Sequence, residues 1–244
     1  MNQPFLIFLP HLFGTASVLL ILTLGWRTPI PTLFVSLPIC GLLFLLGVGL
    51  TPSCWLRAKT TVVETAAPLP TTAVILGFGY EGEGATMRPG EANQFLVDWL
   101  LQTQPQVTTF LVQEGVRSAM QPGLLQDKAI HRIHRHDPAV YVDTLDTAFC
   151  ALHQLQQLKA KTVLLVAHDL QLQRAVWDFE RVRQAACAQC TIVVAAMPDT
   201  PYPKASVHVQ TRNEFIYKLT ELLYLRPRDF LRAVPTQCKA PLQT

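Results

Sequence analysis

His168 and Asp169 stand together where an apolar run, Thr162–Ala167, gives way to a helical pattern. An imidazole titrates near neutral pH, and a carboxylate beside it can orient the ring, so the pair suits general acid or base work. Six residues on, Arg174 offers an anion a planar fork of N–H donors. A second group, Asp143-Thr144-Leu145-Asp146-Thr147, follows another apolar run, Ala139–Val142. Hydroxyls and carboxylates cap helices routinely, but two Thr and two Asp exceed what one cap requires. Asp143, Thr144 and Thr147 are therefore candidate ligand contacts. A third group, Gly77, Gly79 and Gly82, spells G-x-G-x-x-G after the run Ala73–Leu76. A dinucleotide site needs a helix opening directly behind such glycines, so that its N–H groups face a phosphate. Here no helical pattern begins before Pro89, and Glu114 lies beyond the usual acidic spacing of about 20 residues. The glycines predict instead a loop lining a cleft, with Gly77, Gly79, Arg88 and Glu114 as candidate ligand contacts.

These residues need elements to hold them. Ala73–Leu76, Val107–Val112, Ala139–Val142, Thr162–Ala167 and Thr191–Ala196 are short apolar runs of the kind buried on both faces of a parallel sheet. Between them lie helical spacings: Ala92, Phe95, Leu96, Trp99 and Leu100; then Leu145, Ala148, Phe149, Leu152 and Leu155; then Leu172, Ala175, Val176, Phe179 and Val182. Asp169 is the expected cap of the last of these helices. Thr211-Arg212-Asn213-Glu214 reads as a capping box opening a helix with Phe215, Ile216, Leu219, Leu222 and Leu223 on its buried face. The stretch around Pro122-Gly123 is helical in part at best. Alternating strands and helices predict an α/β fold, a Rossmann-like three-layer domain with a mostly parallel five-stranded sheet. If strand order reverses between the first and fourth strands, the glycine loop and His168-Asp169 flank one crevice.

His131-x-x-His134-x-His136-Asp137 has a metal-binding composition. It precedes the third expected strand, at the amino end of the sheet, and Arg132 and Arg135 interleave with it. A solvated basic loop is the reading, and no metal is expected. Cys187-x-x-Cys190 falls at a helix end, where the dipole disfavours a thiolate, so it reads as structural. G-x-S-x-G, G-x-x-x-x-G-K-[ST] and H-E-x-x-H are absent, which removes the parts of common hydrolase, P-loop and zincin mechanisms.

The mean hydropathy is +0.25, and the apolar excess lies before residue 51. No Asp, Glu, Lys or Arg occurs in Pro4–Trp26 or Thr28–Leu56, and each stretch exceeds the roughly 20 residues that a hydrocarbon core needs. Residues 1–56 are thus expected to form a transmembrane helical hairpin, with the bilayer as a partner. Residues 57–71 form a linker, 72–225 the α/β domain, and 226–244 a basic tail. Arg57 and Lys59 outnumber Arg27 by one, which favours the cytoplasmic side for the domain and leaves the side open. The net charge is +3, equal to that of the tail, so no nucleic acid is expected as a partner. Six cysteines leave the redox compartment open.

Together, the membrane stretch, Gly77 and Gly79 after the first strand, Thr144-x-Asp146-Thr147 at a helix start, Arg174-Ala175, and Arg212 with Glu221 resemble the YdcF/SanA/ElyC family. The likeness runs from about Ala73 to Tyr224. The chain carries Gln171 where the family usually has His, and Gln113-Glu114-Gly115 where it has Ser-Gly-Gly. The resemblance implies a Rossmann-like domain tied to the bacterial inner membrane and a role in the cell envelope. The cofactor is left open by the residues, and the resemblance alone suggests S-adenosylmethionine or another nucleotide, since one member of the family binds S-adenosylmethionine. Two functional readings follow. In one, a small anionic ligand sits between the glycine loop, Arg88 and Arg174, with His168 and Asp169 as the catalytic pair. In the other, the protein works through protein partners and the cleft is vestigial.

Overall fold

The computed structural model describes Gly41, residues 69–82, Thr86, and residues 88–120, 127–134, 142–186, 188–194, 198–225, 228 and 231–238. The chain divides into two compact units, one of Ser53–Asn213 with Arg232–Thr244, the other of Met1–Pro52 with Glu214–Leu231.

The first unit is a three-layer α/β domain. Its strands are β1 (Thr72–Ile75), β4 (Thr109–Val112), β5 (Ala129–Arg132), β6 (Thr162–Val166) and β7 (Thr191–Val194), in the order β5-β4-β1-β6-β7. All four pairings are parallel. A two-stranded antiparallel ribbon, β2 (Tyr80–Glu81) and β3 (Arg88–Pro89), follows β1. The helices are α1 (Glu91–Thr103), the single turn α2 (Glu114–Arg117), α3 (Thr144–Gln157) and α4 (Asp169–Ala185).

Side-chain alternation along β1 explains the layering. Ala73 and Ile75 join Leu96, Val97 and Leu100 of α1 in one core. Val74 and Leu76 join Leu145, Leu152, Leu172 and Phe179 of α3 and α4 in the other. Successive strand residues point to opposite faces, so a central strand must be apolar throughout. Full burial of each Val, Leu or Ile side chain contributes about 1.5–3 kcal/mol, and β1 is buried from end to end.

The third strand differs from expectation. It is β5, paired to β4 with His131 opposite Leu111. Residues 135–141 lie outside the described residues, and Val142 is not in a strand. β5 is an edge strand and none of its residues is fully buried, so it can carry His131 and Arg132 and shows no apolar run. His131 is therefore in the sheet and His134 lies past its carboxyl end, buried, rather than in a solvated loop at the amino end.

The transmembrane reading falls on residues 1–56, of which only Gly41 is described. Among the described residues no helix is long and apolar enough to cross a membrane. In the second unit, α5 (Glu214–Thr220) runs into a π-helical turn, Glu221–Leu225. Its buried residues include Tyr217, Lys218 and Glu221, while of the expected apolar positions Phe215 is exposed and Ile216 and Leu219 are half-buried. The capping box is also displaced. Thr211 ends a 3-10 turn, and its hydroxyl donates to the His208 carbonyl.

Candidate functional site

Strand order reverses between β1 and β6, and the polar residues gather at that carboxyl edge. Leu76 N–H bonds the Val166 carbonyl at 2.9 Å, carrying the two strands side by side into their loops. Phe78, from the first loop, then stacks on His168, from the second, with centroids 3.6 Å apart and planes 22° apart. Tyr202 packs against the same ring at 4.8 Å. The glycine loop and His168-Asp169 thus meet.

His168, not Asp169, occupies the cap position of α4, and Asp169 is the first helical residue. His168 Nδ1 lies 2.9 Å from Asp169 Oδ1 and 3.3 Å from the Leu170 nitrogen. One nitrogen cannot donate to a carboxylate and accept from an amide together. The shorter, charge-assisted contact dominates, so Nδ1 carries a proton directed at Asp169. The carboxylate fixes the ring's tautomer and orientation, the arrangement that readies Nε2 as an acceptor. The ring itself has no exposed surface, because Phe78 and Tyr202 take up the space around it.

The first two loop amides have partners within the protein. Gly77 N–H donates to Gln113 Oε1 at 2.6 Å and Phe78 N–H to Asn93 Oδ1 at 2.8 Å. Asn93 Nδ2 in turn donates to the Gly79 carbonyl at 2.6 Å. These two N–H groups are therefore already paired within the protein. Gly79 has φ +72°, and a Cβ there would lie 2.5 Å from both Ser206 Oγ and Thr211 Oγ1. Only glycine fits.

The Asp-Thr group is a node. Asp143 caps α3 through a reciprocal box with Asp146: Asp146 N–H donates to Asp143 Oδ1 at 2.9 Å, and Asp143 N–H to Asp146 Oδ2 at 3.4 Å. Thr147 Oγ1 donates to the Asp143 carbonyl at 2.8 Å and accepts from Gln113 Nε2 at 2.9 Å. Arg174, buried on α4, donates to Thr144 Oγ1 at 2.7 Å and lies 3.7 Å from Asp178. It joins the starts of α3 and α4.

No family model, curated protein or solved structure matches this chain.

The remaining candidates sit apart from this node. Arg88 is exposed on the ribbon opposite Glu81. Glu114, at the start of α2, pairs with Arg132 at 3.2 Å and Arg117 at 3.4 Å. Cys187 lies outside the described residues, and Cys190 is buried with a free thiol. Among the described residues no group of three or more His, Cys, Asp or Glu is placed to hold a metal.

Three participants were not singled out from the sequence, Asn93, Tyr202 and Arg232, and Gln113 was noted only as standing where the resembled family has Ser. Asn93 left a trace, since it is an amide on the buried face of α1 between Ala92 and Leu96. Arg232, counted in the sequence as tail charge, bonds both Asp143 and Asp146. The hydrogen bond to Asp146 raises its pKa most, against a lowering by burial.

Proposed function

We propose that this chain is a membrane-anchored protein of the YdcF/SanA/ElyC type. In this reading it binds a small anionic or nucleotide-like ligand at the strand carboxyl ends and acts in maintenance of the cell envelope. One observation carries the ligand reading: buried polar groups converge at the β1–β6 switch point, the place where open α/β sheets bind ligands. Burying His168, Asp169, Asp143, Asp146 and Arg174 together costs desolvation that an apolar packing would avoid. In this reading the His168–Asp169 pair holds or moves a proton, and Thr144, Thr147 and Arg174 supply polar groups at the starts of the neighbouring helices.

A second reading, a partner-binding envelope protein with a vestigial cleft, has its own support. The Gly77 and Phe78 amides and the Arg174 guanidinium all have partners within the protein.

The discriminating experiment is thermal unfolding of the detergent-solubilised full chain with nucleotides, S-adenosylmethionine or isoprenoid phosphates. A ligand present at 100 times its Kd stabilises by about 2.7 kcal/mol. A shift that disappears in Arg174→Ala supports ligand binding at this edge. No shift with any of the three classes favours the partner reading.

A further inference from the structure

The C-terminal segment Arg232–Cys238 is fastened to the α/β domain along its length. The Arg232 guanidinium reaches both acids of the α3 cap: Nη1 bonds Asp143 Oδ2 and lies 3.2 Å from Asp146 Oδ2, and Nη2 lies 2.6 Å from Asp146 Oδ1. Arg181 Nη2 on α4 donates to the Arg232 carbonyl at 2.6 Å. Val234 packs on the core shared by α3 and α4. Cys238 closes a disulfide with Cys150 of α3, 88 residues away in sequence, with Cα atoms 5.4 Å apart.

Asp143 and Asp146 are only 6% and 1% exposed. Two carboxylates side by side out of water call for a partner that is both a cation and a hydrogen-bond donor. Arg232 is the cation that spans them, and its fork suits two carboxylates as an ammonium does not. The cap it stabilises is linked onward. The Asp143 carbonyl accepts from Thr147, Thr147 accepts from Gln113, and Gln113 accepts from Gly77 N–H. An unbroken hydrogen-bonded chain runs from the strap to the glycine loop.

We propose that Arg232–Cys238 is a redox-fastened strap, in which the Cys150–Cys238 disulfide holds Arg232 on Asp143 and Asp146 and so sets the geometry of the glycine loop. Arg232 is a positioning residue acting through the α3 cap. A dithiol releases the strap by exchange: the Cys150–Cys238 bond takes two electrons and two protons to give two thiols, and the dithiol becomes a disulfide. The fastened form is the one expected in an oxidising compartment.

The proposal rests on the ligand reading only for its consequence, so its test uses no ligand. Hydrogen exchange is followed in the full-length protein in detergent, at the Gly77 and Phe78 amides and across Asp143–Thr147. The samples are oxidised protein, protein reduced with dithiothreitol, Cys238→Ser, Arg232→Gln and Arg232→Lys. Reduction, Cys238→Ser and Arg232→Gln should each speed exchange at both places by about tenfold. Arg232→Gln should do so with its disulfide intact, and Arg232→Lys should recover part of the protection. If Cys238→Ser fails to fold, wild-type protein reduced in place makes the same comparison. Unchanged exchange at Gly77 and Phe78 in Arg232→Gln would overturn the proposal, as would alkylation of both Cys150 and Cys238 before any reductant is added.

Discussion

Asn93 is the residue whose replacement tests the site's construction most directly. It is fully buried on α1 and closes the glycine loop from below, its Oδ1 taking Phe78 N–H and its Nδ2 giving to the Gly79 carbonyl. Asn93→Ala leaves a donor and an acceptor without these bonds in a dry place. At about 1–3 kcal/mol for each such group, and with some relaxation, the expected loss is about 2–4 kcal/mol. That corresponds to a fall in Tm of roughly 5–15 °C for a domain of this size. Asn93→Asp is the sharper probe. The new carboxylate still accepts from Phe78, but its other oxygen faces the Gly79 carbonyl, and two acceptors repel. Protonation restores a donor, so the folded state raises this carboxyl's pKa above the unfolded value of about 3.9. A raised folded pKa means the deficit is absent below the unfolded pKa and complete above the folded one. Measured by denaturant unfolding of the full chain, the gap between Asn93→Asp and wild type should therefore narrow as pH falls from 7.5 to 4.5. Equal gaps at both pH values, or an Asn93→Ala loss under about 0.5 kcal/mol, would refute the assignment.

Two further outcomes follow from the same geometry. Gly79→Ala should cost about 1–2 kcal/mol for the left-handed backbone alone, and more because its Cβ meets Ser206 and Thr211. Thermal unfolding of that variant beside Gly77→Ala, whose φ is not positive and whose nearest contact would be 3.4 Å, should show the smaller loss for Gly77→Ala, where both causes are absent. At Cys190, burial pushes the thiol's pKa up, partly offset by Arg183. Its contribution to stability should be full below the unfolded cysteine pKa of about 8.5 and fade as pH rises through the higher folded value. Alkylation of native protein at pH 8 should be slower at Cys190 than in the same chain unfolded.

The central strands were legible because burial on both faces leaves one choice of side chain. β4, β6 and β7 lie within apolar runs read from the sequence, β1 overlaps its run but begins one residue earlier, at Thr72, and α1, α3 and α4 bury most of the residues that their helical spacing pointed to. β5 escaped because an edge strand is wetted along one side and can carry His and Arg. Phe215 misled for the converse reason, since an apolar residue in a helical rhythm need not face a core. At the site, Gly77, Gly79, His168 and Asp169 stood out because each follows a buried strand, where a parallel sheet delivers its loops, and Asp143, Thr144 and Thr147 because they open a helix.

What those residues bond to was decided by tertiary structure alone. Gln113 meets Gly77 across 36 residues, Arg174 meets Thr144 across 30, and Arg232 meets Asp143 across 89. Local sequence records propensity and periodicity, which act over a turn of helix or a few residues of strand. A hydrogen bond between distant segments leaves no such rhythm. The sequence by itself therefore determined where the sheet's loops emerge and which of them are polar. Only the fold decided that the Gly77 and Phe78 amides are occupied and that a tail arginine faces the buried acids, because each depends on which segments become neighbours.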